Sequence, residues 1–264
     1  MIPARFGSRR LPGKPLIEIA GRSLLSRVVA IARHAAALVP GTAVVVATDD
    51  GRISAHARDL GCEAVLTGPE ISSGSGRACA VALERRPRPD IVINLQGDAP
   101  FIPPMSVARL IESARTSDAA VATPVVRMSW EELDALRAHK QHAPFSGTTC
   151  VRGEDGKALW FSKTILPSIR DEAGLRERQP MSPVWRHLGL YAYRLAALER
   201  FERTSPSHYE RLEGLEQLRF LEMGLDILTV EVEIEGRSMS GIDTKEDILL
   251  AEALIAEQGD PYPA

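Results

Sequence analysis

Cysteine is scarce in this chain of 264 residues, which has only Cys62, Cys79 and Cys150. They are odd in number, far apart and without C-x-x-C spacing, which argues against a disulfide framework or a structural zinc site and fits a reducing cytoplasm. Long apolar runs are missing too. The most apolar stretch, "AAALVPGTAVVVA", is cut by Pro40-Gly41 well short of a bilayer span, and no charged and apolar leader begins the sequence, so a soluble protein without a membrane partner is expected. Neither sign of charge dominates. With 32 basic and 35 acidic residues, the net charge of −3 gives no general attraction to nucleic acid, so any bound anion must be held by a local cluster. Aromatic residues are few, and Trp130, Trp160 and Trp185 read as packing residues rather than base-stacking platforms. No low-complexity linker divides the chain, which reads as a single domain over 1–264.

A local cluster is present at the start. "MIPARFGSRRLPGKPL" holds Arg5, Arg9, Arg10 and Lys14 together with Gly7 and Gly13. The glycines allow close backbone approach to a ligand, and the cations can meet several phosphate oxygens. Pro15 follows Lys14, so the loop lacks the Lys-Ser/Thr ending of a Walker A sequence. On charge alone the loop also reads as a solvated surface turn.

Behind this loop, helical and strand-like patterns alternate. Helical spacing from Leu24 to Leu38 precedes a buried strand in "TAVVVATDD"; a helix near Ile53–Leu60, a strand near Glu63–Thr67 and a helix from about Ser75 to Arg86 lead to the strand "DIVINLQGD". A helix entered through Pro103-Pro104 and the strand "AAVATPVV" follow. This order predicts an α/β fold, a mostly parallel sheet flanked by helices. Then "GTTCVRGEDGKALWFSK" reads as a hairpin and "RHLGLYAYR" as one further strand. Residues of about 144–194 are therefore expected to form a smaller antiparallel lobe leaving the main sheet. Helices over Tyr209–Met223 and Lys245–Glu257, with "DILTVEVE" between them, complete the pattern.

Ligands of open parallel sheets bind at the carboxyl ends of the strands. Asp98, in "VINLQGDAP", follows such a strand and can offer hard oxygens to Mg²⁺; read alone, an Asp after a strand is more often a turn or cap residue. Asp243, in "MSGIDTKEDILLAEAL", stands at a loop-to-helix junction and reads first as a cap, but paired with Asp98 it would make a carboxylate cage for Mg²⁺. His139 and His142 are spaced i, i+3 without an acidic partner, which gives no metal site.

In order and combination, "IPARFGSRRLPGKPL", "VINLQGD", "RHLGLYAYR", "LEGLEQLRFLEMG" and "GIDTKEDI" resemble the 3-deoxy-D-manno-octulosonate cytidylyltransferase (CMP-Kdo synthetase) family from Ile2 to about Leu254. The resemblance implies a Rossmann-like nucleotidyltransferase fold, a homodimer assembled partly through the smaller lobe, and a cytoplasmic role in lipopolysaccharide biosynthesis. The implied reaction couples CTP to Kdo or a related ulosonic acid with Mg²⁺, giving a CMP-sugar and pyrophosphate. The resemblance assigns the nucleotide to Arg5, Gly7, Ser8, Arg10, Lys14, Ser73, Gly74, Arg77 and Gln96, and the metal to Asp98 and Asp243. Catalysis would rest on Arg10, Lys14, Asp98 and Asp243, and sugar binding on His187, Glu213, Glu216 and Gln217, the last three on one long helix. Without the resemblance, His187 reads as a satisfied histidine and the two glutamates as a solvated helix face.

Four features depart from the family. The apolar run ahead of I-P-A-R is nearly missing, implying a truncated start or an incomplete sheet; Ala99 stands in place of Glu in Q-G-D-E-P; Ile71 stands in place of His in the loop similar to H-x-S-G-T-x-R; and "HAPFSGTTC" replaces the segment similar to N-P-N-x-V-K. They leave two alternatives, a nucleotide-binding regulatory paralogue with little turnover or a cytidylyltransferase for another sugar acid.

Overall fold

The computed structural model describes residues 1–8, 10–234 and 241–262; Arg9 of the basic loop lies outside them. The first strand, β1, covers Ile2–Ala4. After the basic loop and a single 3-10 turn at Lys14–Leu16 comes a short hairpin, β2 (Glu18–Ile19) and β3 (Arg22–Ser23). The Ser23 hydroxyl caps α1 (Leu24–Leu38) by accepting from Ser26 N, and the helix buries Leu24, Leu25, Val28 and Ile31, as its apolar spacing predicts. β4 (Val45–Thr48) is buried throughout, the mark of an interior parallel strand. α2 (Gly51–Asp59), β5 (Glu63–Leu66), α3 (Gly74–Glu84) and β6 (Ile91–Leu95) continue the expected alternation.

β1 pairs in parallel with β4, and β4 with β5. On its other side Met1 N donates to Ile93 O (2.8 Å) and Leu95 N donates to Met1 O (3.0 Å), the bonding pattern of a parallel pair, which joins β1 to β6. The carboxyl ends of β1, β4 and β6 therefore open on the same edge. Gly97, just beyond β6, is required by this packing: a Cβ there would lie 2.6 Å from Pro3 O. Gly97→Ala is expected to displace β1 and cost about 1 to 3 kcal/mol of stability. An unchanged denaturation midpoint in urea would count against that close approach.

The second half of the chain differs from expectation in three ways. After α4 (Pro104–Thr116), the strand β7 (Val121–Ser129) runs directly into α5 (Trp130–His142), which the sequence reading did not anticipate. Its signal is a reciprocal capping box: Glu132 N donates to Ser129 Oγ and Ser129 N to Glu132 Oε2. β8 (Thr149–Arg152) and β9 (Ala158–Ser162) form the expected hairpin, followed by α6 (Glu172–Arg178) and β10 (Met181–His187). "RHLGLYAYR" is not one strand. It breaks at Leu188-Gly189, after which β11 covers Leu190–Arg194.

β11 lies between β6 and β7, and β10 between β7 and β8, all antiparallel. The 144–194 stretch supplies four strands, β8 to β11, of a seven-stranded, largely antiparallel sheet whose other members are β6, β7 and β12.

α7 (Leu195–Arg203) follows directly. The helix expected over Tyr209–Met223 is two short ones, α8 (His208–Glu213) and α9 (Gln217–Glu222). Gly214 takes φ 65°, and its N–H and that of Leu215 both return to Glu210 O, closing α8. The turn is locked by Arg219, whose Nε donates to Glu210 Oε2 at 2.6 Å while its guanidinium stacks on Phe201. β12 (Ile227–Glu231) adds to β7 in parallel, and α10 (Lys245–Gln258) packs near β2. No helix among the described residues is long and apolar enough to cross a membrane.

Candidate active site

A cavity of about 460 Å³ opens at the carboxyl ends of β1 and β6. The first loop contributes Arg5, Ser8, Arg10 and Lys14; the segment entering α3 contributes Ser72, Ser73, Gly74 and Arg77; β6 leads into Gln96, Gly97 and Asp98; Glu216 and Asp243 arrive from distant parts of the chain. Ten of the residues assigned to nucleotide, metal or catalysis therefore converge here, and Gly7 is the one of that set outside the lining.

The basic loop is folded around Phe6. Its carbonyl accepts from Ser8 N and Gly13 N, each at 2.9 Å, and its ring lies 3.5 Å beneath the Arg52 guanidinium. Phe6 N donates to Asp49 Oδ1 (3.3 Å), and Asp49 Oδ2 accepts from Arg77 Nη2 (3.0 Å). Asp49 therefore couples the basic loop to α3. The sequence reading missed it, although "TDD" at the end of β4 places a carboxylate at the functional edge of the sheet.

At the mouth of the cleft, the Lys14 ammonium, 13% exposed, lies between two carboxylates. It donates to Asp98 Oδ2 (2.8 Å), Asp243 Oδ1 (3.1 Å) and Ile242 O (2.8 Å). Arg10 reaches Asp243 Oδ2 at 2.9 Å from the solvent side. Ile242 N donates to Asp98 O (2.8 Å), so backbone as well as side chains bring the two segments together. The capping alternatives resolve clearly. Thr244 caps α10, with Oγ1 accepting from Asp247 N, and Pro103 occupies the N-cap position of α4. Asp98 and Asp243 are both left to face the cleft.

Two partly exposed carboxylates sharing one cation position suit Mg²⁺, which takes one or two carboxylates and completes its shell with waters and substrate phosphates. Among the described residues no cluster of three or more His, Cys, Asp or Glu side chains forms an all-protein metal cage.

On the opposite wall, Ser73 caps α3 by accepting from Gly76 N (2.9 Å). Arg77, 2% exposed, is held by Asp49, by Ile71 O (2.8 Å) and by Thr67 Oγ1. Its first role is to fix the 67–73 loop; Arg5 adds a bond to Ser72 O (3.3 Å). At position 71 the bond is made by the backbone carbonyl.

Of the four residues assigned to the sugar, Glu216 lines the cleft, with Oε2 accepting from Ser75 Oγ (3.2 Å). Burial raises its carboxyl pKa, and the nearby Glu202 carboxylate raises it further. The other three lie outside that lining. Glu213 ties α8 to the hairpin, accepting from Ser162 Oγ and Lys163 N, both at 2.8 Å. Gln217, 2% exposed, accepts from the Tyr191 hydroxyl (3.0 Å), while its Nε2 has no hydrogen-bond partner. His187 Nε2 lies 2.9 Å from Thr123 Oγ1, and its ring packs on Phe161 and Tyr191. Burial, with the Lys163 charge adding to it, lowers the His187 pKa to about 3, so the ring is neutral near pH 7. Ala99 is 7% exposed and outside the cleft lining.

A cytidylyltransferase family model matches residues 1–227. The chain is 41% identical over 264 residues to a 3-deoxy-manno-octulosonate cytidylyltransferase of Maricaulis maris, covering 98% of this chain and 97% of that protein. It is 40% identical over 257 residues to the protein of the same name from Anaeromyxobacter dehalogenans, covering 97% and 96%. Among solved structures, CMP:2-keto-3-deoxy-manno-octonic acid synthetase complexed with CTP superposes with a TM-score of 0.81 at 33% identity, over 97% of each chain. A cytidylyltransferase from Leptospira borgpetersenii, 17% identical with a TM-score of 0.57 over 97% of this chain and 85% of that one, shares the fold.

Proposed function

The chain belongs to the 3-deoxy-manno-octulosonate cytidylyltransferase family, and from that membership together with the cleft we infer an enzyme that couples CTP to Kdo, giving CMP-Kdo and pyrophosphate. The observation that carries the reading is the Lys14 ammonium set between Asp98 and Asp243 beneath a loop bearing Arg5 and Arg10. A triphosphate needs that density of positive charge, and a divalent cation needs those two carboxylates.

The anomeric C2 hydroxyl oxygen of the sugar acid forms the new bond to the α-phosphorus and gives up its proton to solvent. The bond from that phosphorus to the bridging oxygen of the β-phosphate breaks, and pyrophosphate leaves with the electron pair. The protein supplies position and charge rather than a covalent nucleophile. Arg5, Arg10 and Lys14 balance the phosphate charge, Arg77 and Asp49 hold the nucleotide wall against the basic loop, and Glu216 borders the sugar side. Asp98 and Asp243 would hold Mg²⁺, which when bound polarises phosphate oxygens and lowers the pKa of a coordinated hydroxyl. We further read the chain as a cytoplasmic homodimer. Its three buried free cysteines suit a reducing compartment, and the exposed Leu159 of β9 and Tyr209 and Leu212 of α8 offer an apolar surface for a second copy.

The test is purified protein with CTP, Mg²⁺ and Kdo, following pyrophosphate and CMP-Kdo. The expected kcat/KM exceeds about 10⁴ M⁻¹s⁻¹, with Kdo preferred over 8-amino-Kdo and over a nine-carbon sialic acid. Nucleotide binding without pyrophosphate release would favour the regulatory alternative.

A further inference from the structure

α10 is seated on the core by one narrow row: Ala251 is buried and the partly buried Ile248 and Ile255 pack beside it, while Leu249 and Leu250 are 67% and 52% exposed. Polar ties hold it at and near its ends. At the N-terminal end, Asp243 meets Lys14 and Arg10, and Ile242 bonds to Asp98. Beyond the other end, about 21 Å away along the helix axis, stands Asp260.

Asp260 Oδ1 accepts from Arg27 Nη1 (2.9 Å) and Oδ2 from Arg22 Nη1 (3.1 Å). Arg27 is only 3% exposed, and its remaining hydrogen bonds go to Ile19 O, so Asp260 is its one carboxylate partner among the described residues. Ala20 N also donates to Glu252 Oε1 of α10 (3.1 Å). These ties fall on the β2–β3 hairpin and on Arg27 of α1, whose guanidinium is bonded to Ile19 O of β2; the hairpin is joined to the turn at Lys14 by Ile17 N donating to Lys14 O and Leu24 N donating to Ile17 O. The contacts close a circuit: from Lys14 through the hairpin to Asp260, along α10 to Asp243, and back to Lys14.

We propose that Asp260 is a positioning residue, holding α10 so that the Asp243 carboxylate stays against Lys14 and Asp98. The proposal rests on the reading of Asp98 and Asp243 as the cation site. A helix seated by one narrow row tilts along that row when the anchor beyond one end is released, while the Ile242–Asp98 bond keeps its start in place. Releasing Asp260 therefore loosens the aim of the Asp243 carboxylate at Lys14 and Asp98 rather than removing either carboxylate. Affinity for the cation falls, and the chemistry of the loaded site is retained.

The test compares wild type with Asp260→Asn by Mn²⁺ binding in the presence of CTP, read by electron paramagnetic resonance, and by the Mg²⁺ dependence of pyrophosphate release. Asp260→Asn is expected to weaken Mn²⁺ binding and to raise half-saturating Mg²⁺ by about tenfold, the low end for residues that orient metal ligands. At saturating Mg²⁺, kcat should stay within about twofold. Asp260→Glu should restore most of the affinity, and Glu257→Gln, at an exposed position of the same helix, should change nothing. Arg22→Gln, a milder variant at a less buried arginine, should shift both readouts in the same direction and decides the matter if Asp260→Asn does not fold. If wild type binds Mn²⁺, Asp243→Asn loses it, and Asp260→Asn or Arg22→Gln binds it as wild type does, the positioning role is overturned while the cation site stands. If wild type binds no Mn²⁺, the cation reading fails and this proposal falls with it.

Discussion

Replacing Lys14 with alanine is expected to lower kcat/KM for CTP by about 10²- to 10³-fold, the loss typical when one preorganised charge is removed from a transition-state site. The side chain is 13% exposed and lies within hydrogen-bond reach of both cleft carboxylates. A unit charge about 4 Å from a phosphate is worth roughly 4 kcal/mol at an effective dielectric near 20, enough to carry a loss of that size. Alanine also leaves Asp98 and Asp243 facing an incoming polyanion with Arg10, paired to Asp243, as their remaining ion-pair partner among the described residues. Folding should survive, because Ile242 N still donates to Asp98 O and keeps the two segments together. Steady-state kinetics over a range of CTP concentrations, with circular dichroism on the same preparation, checks both halves. Wild-type pyrophosphate release from folded Lys14→Ala would defeat the assignment.

How much of this was legible in the sequence follows from the range of the forces involved. The first half reads well because its signals are local: α1 begins and ends where its apolar spacing does, and the strand ends fall next to "PAR", "TDD" and "QGD". Asp98 and Asp243 were legible as polar residues at such ends, although only the folded chain shows that Thr244 takes the cap and frees Asp243. The second half reads less well. A glycine inside an apolar helical pattern carries little information until its φ is known, so the break at Gly214 was hidden, and with it the separation of Glu213 from Glu216. The strand partners of 144–194 were hidden for a different reason. Ladder pairing joins segments far apart in sequence, and β7, which pairs with β10 and β11, is one of them. Arg77 had the composition of a phosphate ligand, but its nearest partners, Asp49, Thr67 and Ile71, lie 28, 10 and 6 residues away. Asp260 offered no motif at all; its role depends on how narrow the buried face of α10 is.

The other large effect is expected at the paired carboxylates. Asp98→Asn and Asp243→Asn should each cut turnover by about 10³-fold or more, and chelation of the wild type should abolish activity until Mg²⁺ is returned. Asparagine keeps the shape and one oxygen of each side chain but removes the charge, so a loss of this size reports charge rather than packing. Both carboxylates lie within 3.1 Å of the same ammonium nitrogen, which puts them within one ligand span of each other. A pair that serves one cation acts as a unit, so the double variant should be scarcely slower than the worse single variant. Independent roles would instead multiply the two losses. The structure also predicts a difference between the two positions: Asp243 is 45% exposed and paired with Arg10, whereas Asp98 is 32% exposed and fixed by the backbone bond from Ile242. Raising Mg²⁺ should therefore rescue Asp243→Asn more than Asp98→Asn, because the better-fixed ligand still holds the ion in place. Turnover that persists in EDTA, or two single losses that multiply, would show that Asp98 and Asp243 do not share a metal.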